Sequence, residues 1–133
     1  MKKILFASIF IICLSLFGCR DSAKSYPVNF VDRKTVFPIE NQIRKANPLM
    51  LVVEIAEDGK LKLNNIETGT IDDTTLISQK LKAIFDDREK AAIGAREVVV
   101  DPQGKVKYED LEKLIDNLAE VKASPIRVIK NQP

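Results

Sequence analysis

Residues 96–130 read REVVVDPQGKVKYEDLEKLIDNLAEVKASPIRVIK, and this stretch decides the fold class of the chain. Three successive valines within residues 96–101 predict a buried strand, and the Asp-Pro-Gln-Gly run that follows predicts a turn. Apolar residues then recur at helical spacing over residues 108–122, and the opposite face is charged. Pro125 precedes a second apolar strand at residues 126–130. Strand, helix and strand in this order predict a parallel crossover.

The preceding segment predicts a β-hairpin. Residues 49–56 alternate between apolar and other side chains, and residues 61–64 alternate again. Asp58 and Gly59 lie between the two runs, and an Asp-Gly pair in that place predicts a type I′ turn with positive φ at both residues.

A first helix is predicted between the hairpin and the valine strand. Asp72 or Asp73 can cap its N-terminus, because a carboxylate accepts the backbone N–H groups that a first helical turn leaves unpaired. The apolar spacing extends to about Ala92, with Gly94 as the expected stop. The order β-β-α-β-α-β then predicts an α+β fold, a two-layer sandwich with two helices on one face of a four-stranded mixed sheet.

The N-terminal segment predicts a membrane-targeting signal. Residues 1–18 carry Lys2 and Lys3, then 14 mostly apolar residues, and this run is too short to span a bilayer. The sequence Leu-Phe-Gly before Cys19 resembles the lipobox of bacterial lipoproteins, in which the cysteine is lipidated before cleavage. We therefore expect a lipoprotein signal peptide over residues 1–18 and a membrane anchor at Cys19. In enteric bacteria an Asp directly after the lipidated cysteine marks retention in the inner membrane. This chain has Arg20 in that position, which favours the periplasmic face of the outer membrane.

Composition narrows the function. After the first 18 residues, 19 basic residues face 19 acidic ones, and such a balance disfavours nucleic-acid binding, which depends on phosphate neutralisation. The chain has no histidine, and its two cysteines are Cys13 and Cys19. Histidine-based catalysis and histidine-ligated metal sites are therefore excluded. The carboxylates fall on helix faces and helix N-termini, so we expect no enzyme, no cofactor and no metal site.

The predicted domain resembles the periplasmic domain of the ExbD/TolR family. The resemblance rests on the Asp58-Gly59 hairpin, the valine strand that ends at Asp101, and Tyr108 at the start of a leucine-rich helix. It covers residues 49–130. Members of that family also carry a membrane helix with one Asp that takes part in proton-driven work, whereas this chain has no acid within residues 1–18.

The resemblance implies a binding or accessory module without the proton step. Its setting would be a trans-envelope energy-coupling or biopolymer-transport system, and its partners would be a motor complex, the cell wall or another copy of the chain. An unrelated envelope lipoprotein with a ligand-binding or structural α+β domain is the alternative. The predicted organisation is then a signal peptide (1–18), a lipidated tether and linker (19–48) with short extended pieces around residues 28–31 and 35–39, and the folded domain (49–133).

Two places are candidate partner contacts. Family members have an extended segment that ends in an apolar residue and a proline, and Val36, Phe37 and Pro38 stand in the corresponding place. Tyr108 is expected to pack at the start of its helix or to contact a partner. Asp101 is expected to start a turn, although the end of a buried strand is also a frequent place for functional residues.

Overall fold

A computed structural model describes residues 26–37 and 47–130. The elements it contains are β1 (Val28–Val31), α1 (Arg33–Val36), β2 (Leu51–Ile55), β3 (Lys60–Leu63), β4 (Ile66–Thr70), α2 (Thr75–Lys90), β5 (Val98–Pro102), α3 (Tyr108–Glu120) and β6 (Ile126–Ile129). The chain is an α+β protein with one mixed sheet, as the sequence predicts.

The sheet has six strands in the order β1-β6-β5-β2-β3-β4. Strands β1, β6, β5 and β2 are parallel, and β2, β3 and β4 form an antiparallel meander. The predicted crossover is present, because β5 and β6 pair in parallel on either side of α3. The prediction of four strands is wrong. The two additional strands, β1 and β4, are the edges of the sheet. Strand β1 lies within the range 19–48 that was assigned to the tether and linker, at the place where a short extended piece is predicted. The second extended piece, predicted around residues 35–39, is wrong for Thr35 and Val36, which belong to α1.

One face of the sheet carries the main core. Helices α2 and α3 both contribute to this core, α2 with Ile77, Leu81 and Phe85 and α3 with Leu114 and Leu118. Every second residue of the central strands points to the same side, which is the alternation that a strand imposes.

The opposite face has a smaller second core. Val36 of α1 is buried there against Val99 and Ile129. Strand β5 is therefore buried on both faces, which explains why its sequence is a continuous apolar run and does not alternate.

The type I′ turn lies in a different hairpin from the one predicted. At the β2–β3 connection only Gly59 has positive φ. Ala56 N–H donates to the Lys60 carbonyl at 2.9 Å, so three residues, 57–59, lie between this hydrogen-bonded pair. At the β3–β4 connection Asn64 and Asn65 both have positive φ, 49° and 69°, in a two-residue loop. The sequence signal was present, because asparagine tolerates this conformation better than other residues that have a side chain.

Both long helices end in a left-handed residue that is not glycine. Helix α2 ends at Lys90, and Ala92 (φ 57°) takes the left-handed position, so Gly94 is not the stop. The Ile93 N–H donates to the Arg88 carbonyl at 2.8 Å, which completes a Schellman motif. Helix α3 ends in the same way with Lys122 (φ 65°). At the other end of α2 the N-cap position is Thr74, whose side chain makes no capping hydrogen bond, so neither predicted residue is the N-cap. The Asp73 carboxylate, one position earlier, accepts the Thr75 N–H at 3.0 Å.

We expect Ala92→Gly to stabilise the protein. A left-handed conformation costs a residue with a Cβ about 1–2 kcal/mol, and glycine avoids this cost but loses part of the gain to the entropy of the unfolded chain. The net gain should be about 0.5–1 kcal/mol in urea unfolding. Ala83→Gly, at an exposed position inside the same helix, should instead lose about 1 kcal/mol. An equal loss for both variants would contradict this account of the helix end.

Candidate functional site

A groove of about 280 Å³ runs between the edge strand β1 and helix α3, on the face that carries the main core. Its strand side is formed by Tyr26, Val28 and Phe30. Val28 and Phe30 are two residues apart and therefore point to the same side of β1. Phe30 is 57% exposed, a high value for a phenylalanine inside a strand.

The helix side of the groove combines apolar and acidic side chains. Leu111 and Ile115 form its apolar floor, Tyr108 stands at one end, and Glu112 and Asp116 supply two carboxylates. Residues at spacings of three and four along a helix share one face, so α3 presents all five toward β1. Tyr108 is 75% exposed.

The electrostatic character of the groove is acidic. Glu112 and Asp116 are exposed, and within residues 26–37 and 47–130 neither forms an ion pair. Among the described residues, no Lys or Arg lines the groove. An opposite charge brought by a ligand would therefore meet carboxylates that have no competing partner in the described part of the chain.

A second polar cluster lies at the end of β5 on the opposite face of the sheet. The Asp101 side chain is 4% exposed and forms an ion pair with the guanidinium of Arg33, which is 50% exposed. Burial raises the pKa of Asp101 above its ordinary value, and the charge of Arg33 opposes that shift. Asp101 lies inside β5, so its prediction as a residue that starts a turn is wrong.

This pair ties α1 to the sheet. Arg33 stands at the start of α1, and three residues later Val36 enters the second core. The buried carboxylate of Asp101 accepts a hydrogen bond from Arg33, so its charge stabilises the contact between α1 and the sheet.

The partner contacts predicted from the sequence separate into three groups. Tyr108 is exposed and lines the groove, so its ring is not packed against the core at the start of α3. Val36 is buried in the second core, which removes its side chain from contact with a partner, whereas Phe37 is 38% exposed. Pro38 and the predicted lipidation residue Cys19 lie outside the described residues.

The sequence reasoning missed Tyr26 and Phe30. The signal was available in the segment 26–31, YPVNFV, in which Tyr26, Val28 and Phe30 alternate with other residues. In the described part of the chain its four-residue strand pairs with β6, near the other end of the sequence, and no local pattern indicates such a partner.

Within the described residues, no three or more acidic side chains come together in a way that could hold a metal ion. None of the helices in that part of the chain is both long and apolar enough to cross a membrane.

Comparison with known proteins leaves the fold and the groove as the basis for a functional argument. No protein-family model matches the chain. No curated protein is significantly similar to it. The structure defines an α+β protein with a mixed six-stranded sheet and an aromatic, acidic groove beside one sheet edge.

Proposed function

We propose that this protein is a noncatalytic, lipid-anchored binding module of the cell envelope, held at the periplasmic face of a membrane by Cys19. The resemblance to the ExbD/TolR family makes it an accessory component of a trans-envelope energy-coupling or biopolymer-transport system. Without an acid in residues 1–18 it would contribute contact and no proton transfer.

The observation that carries the proposal is the exposed aromatic surface at the β1 edge of the sheet. Phe30 and Tyr108 are among the most exposed large hydrophobic residues of the described chain, and they lie on the two sides of one groove. Exposed apolar groups beside an edge strand are typical of protein–protein contacts, because an edge strand offers backbone groups to another chain.

The carboxylates support a noncatalytic role. Among the described carboxylates that form ion pairs, Asp101 has the least exposed side chain. Its charge is already paired with Arg33. Glu112 and Asp116 are exposed to solvent on a helix surface. No described residue positions them to act as a general acid and a general base.

The second candidate, an unrelated envelope lipoprotein that binds a small ligand, is favoured by the groove itself. Its volume of about 280 Å³ lies just below the range of small-molecule sites, which span about 300–1,000 Å³. This size suits individual side chains of a partner better than a whole cofactor or metabolite.

Site-specific photo-crosslinking in the native host tests the proposal. A benzoylphenylalanine at position 30 should give an adduct with another envelope protein, whereas the same group at the exposed position 82 on α2 should give none. The Cys19→Ala chain should lose both its lipid and the adduct, because the anchor sets the local concentration at the membrane. Equal, weak labelling at positions 30 and 82 would favour the unrelated-lipoprotein alternative.

A further inference from the structure

We infer that the groove binds an extended segment of another protein, which adds to the free edge of β1 and places a Lys or Arg side chain between Glu112 and Asp116. The inference rests on the proposed binding function and names the ligand chemistry of that same surface. Three features carry it: the free edge, the shape of the groove and the uncompensated carboxylates.

The free edge follows from the hydrogen bonding of β1. The Lys130 N–H donates to the Val31 carbonyl at 3.0 Å, so Val31 directs its carbonyl toward the β6 side. In a parallel pair, alternate residues direct their backbone groups to the same neighbour. Phe30, one residue earlier, therefore directs its N–H and C=O away from β6, and among the described strands β1 is the last on that side of the sheet.

The groove adjoins this edge. A strand that paired with β1 would direct every second side chain to the face on which Val28 and Phe30 lie. Those side chains would enter the space over Leu111 and Ile115 and contact the Phe30 and Tyr108 rings. Backbone pairing would supply affinity, and the groove would select the side chains, as in other cases of strand addition.

The charge of the groove selects a cationic segment. Glu112 and Asp116 are one helical turn apart on α3, and neither forms an ion pair within the described residues. The long stem of a Lys or Arg can cover the apolar floor while its charged end reaches the carboxylates. The Tyr108 ring beside them can add a cation–π contact.

The same charge disfavours two other occupants. A second copy that paired through its own β1 would bring its acidic α3 close to this one, with like charges facing each other. An anionic lipid surface would be repelled by the same carboxylates. A basic, partly apolar segment of a different protein is the occupant that matches both the edge and the charge.

A peptide-binding experiment on the full chain in detergent micelles tests the inference. The probe is the labelled heptapeptide Val-Thr-Leu-Thr-Arg-Thr-Val, whose apolar and basic residues share one face, and its Glu-for-Arg counterpart reports on charge. We expect the Arg probe to bind more tightly. Glu112→Lys combined with Asp116→Lys should weaken it by about tenfold and reverse the preference, because each reversal replaces an attraction by a repulsion. The matched control, Glu109→Lys with Glu120→Lys, makes the same charge change on α3 outside the groove and should have little effect.

N-methylated probes test the strand addition without altering the protein. Methylation of alternate amides in one register should abolish binding, and methylation in the other register should leave it unchanged, because only one set faces β1.

Four outcomes would overturn the inference. They are equal binding of both charge probes, loss of binding with both methylation registers or with neither, a dimer that Phe30→Ala dissociates, and binding to anionic vesicles that Glu112→Lys leaves unchanged. A crosslinked partner at position 30 together with no peptide preference would remove this inference and leave the proposed function standing. Peptide selectivity without any crosslink in cells would remove the proposed function and leave the inferred ligand chemistry of the groove standing.

Discussion

Replacement of Arg88 by alanine is expected to destabilise the protein by about 3 kcal/mol, which makes it one of the most damaging single changes outside the apolar core. Arg88 is buried in α2, and its guanidinium donates to the carbonyls of Ala95 and Leu49, each at 2.7 Å. A hydrogen bond that involves a charged group contributes about 1.5–3 kcal/mol, and removing the arginine also leaves two carbonyls without that donor. The side chain ties the end of α2 to the segments that precede β2 and β5.

Thermal and urea unfolding measure this effect. The melting temperature of Arg88→Ala should fall by more than about 10 °C, since 1 kcal/mol corresponds to about 4–8 °C in a domain of this size. Arg88→Lys should lie between the wild type and the alanine variant, because one ammonium group cannot reproduce the fork of a guanidinium. Lys82→Ala, an exposed change on the same helix, should stay within about 0.5 kcal/mol of the wild type. A similar loss for Arg88→Ala and Lys82→Ala would contradict the role assigned to the two carbonyl contacts.

Arg33→Gln is expected to cost about 1–2 kcal/mol at neutral pH and much less in acid. The variant leaves the buried carboxylate of Asp101 without its cation. Breaking a fully buried ion pair costs about 3–5 kcal/mol, and the expected loss is smaller here because Arg33 is half exposed. Once Asp101 is protonated, little charge remains for Arg33 to balance.

The sign of the pH dependence follows from the raised pKa of Asp101. Between its ordinary pKa of 3.8 and the higher value in the folded state, the folded protein binds more protons at this site than the unfolded chain does. The contribution of Asp101 to stability is therefore largest below 3.8 and declines as the pH rises through that window. Removing Arg33 raises the pKa of Asp101 further and widens the window.

Urea unfolding of four chains between pH 3 and pH 7 isolates this contribution. The wild type, Arg33→Gln, Asp101→Asn and the double variant form a cycle, and the cost of Arg33→Gln should grow with pH only where Asp101 is present. A pH-independent cost, or the same cost in the Asp101→Asn background, would show that the pair does not act through the buried charge.

The Arg33–Asp101 pair and the contacts of Arg88 differ in how far the sequence could predict them. Asp101 was singled out because it ends an apolar strand, yet its partner Arg33 is 68 residues away along the chain. Arg88 gave no signal, because its acceptors are backbone carbonyls, and any residue can supply a carbonyl. The burial of an arginine beside two such groups depends on where α2, β2 and β5 come together.

Local patterns were sufficient for the elements with regular spacing. The apolar stripe of residues 108–122 predicted α3 to within two residues of its observed end at Glu120, and the valine run predicted a strand that proved to be buried on both faces. The order of elements also predicted the parallel pairing of β5 with β6. Helical and strand periods repeat within a few residues and therefore remain visible in a sequence.

Only the tertiary structure decided which strand the edge strand β1 pairs with, and with it the candidate site. The four residues of β1 pair with β6, almost a hundred residues further along the chain, whereas β4 pairs with its neighbour β3 across the two-residue Asn64-Asn65 loop. The groove needs β1 and α3 side by side, although Phe30 and Tyr108 are far apart along the chain. Amino-acid sequence alone determined an α+β protein with a leucine-rich helix packed on a valine strand. The edge and its acidic groove came from long-range strand pairing. The alternation within residues 26–31 can indicate a strand, but a local pattern does not indicate which distant strand it pairs with.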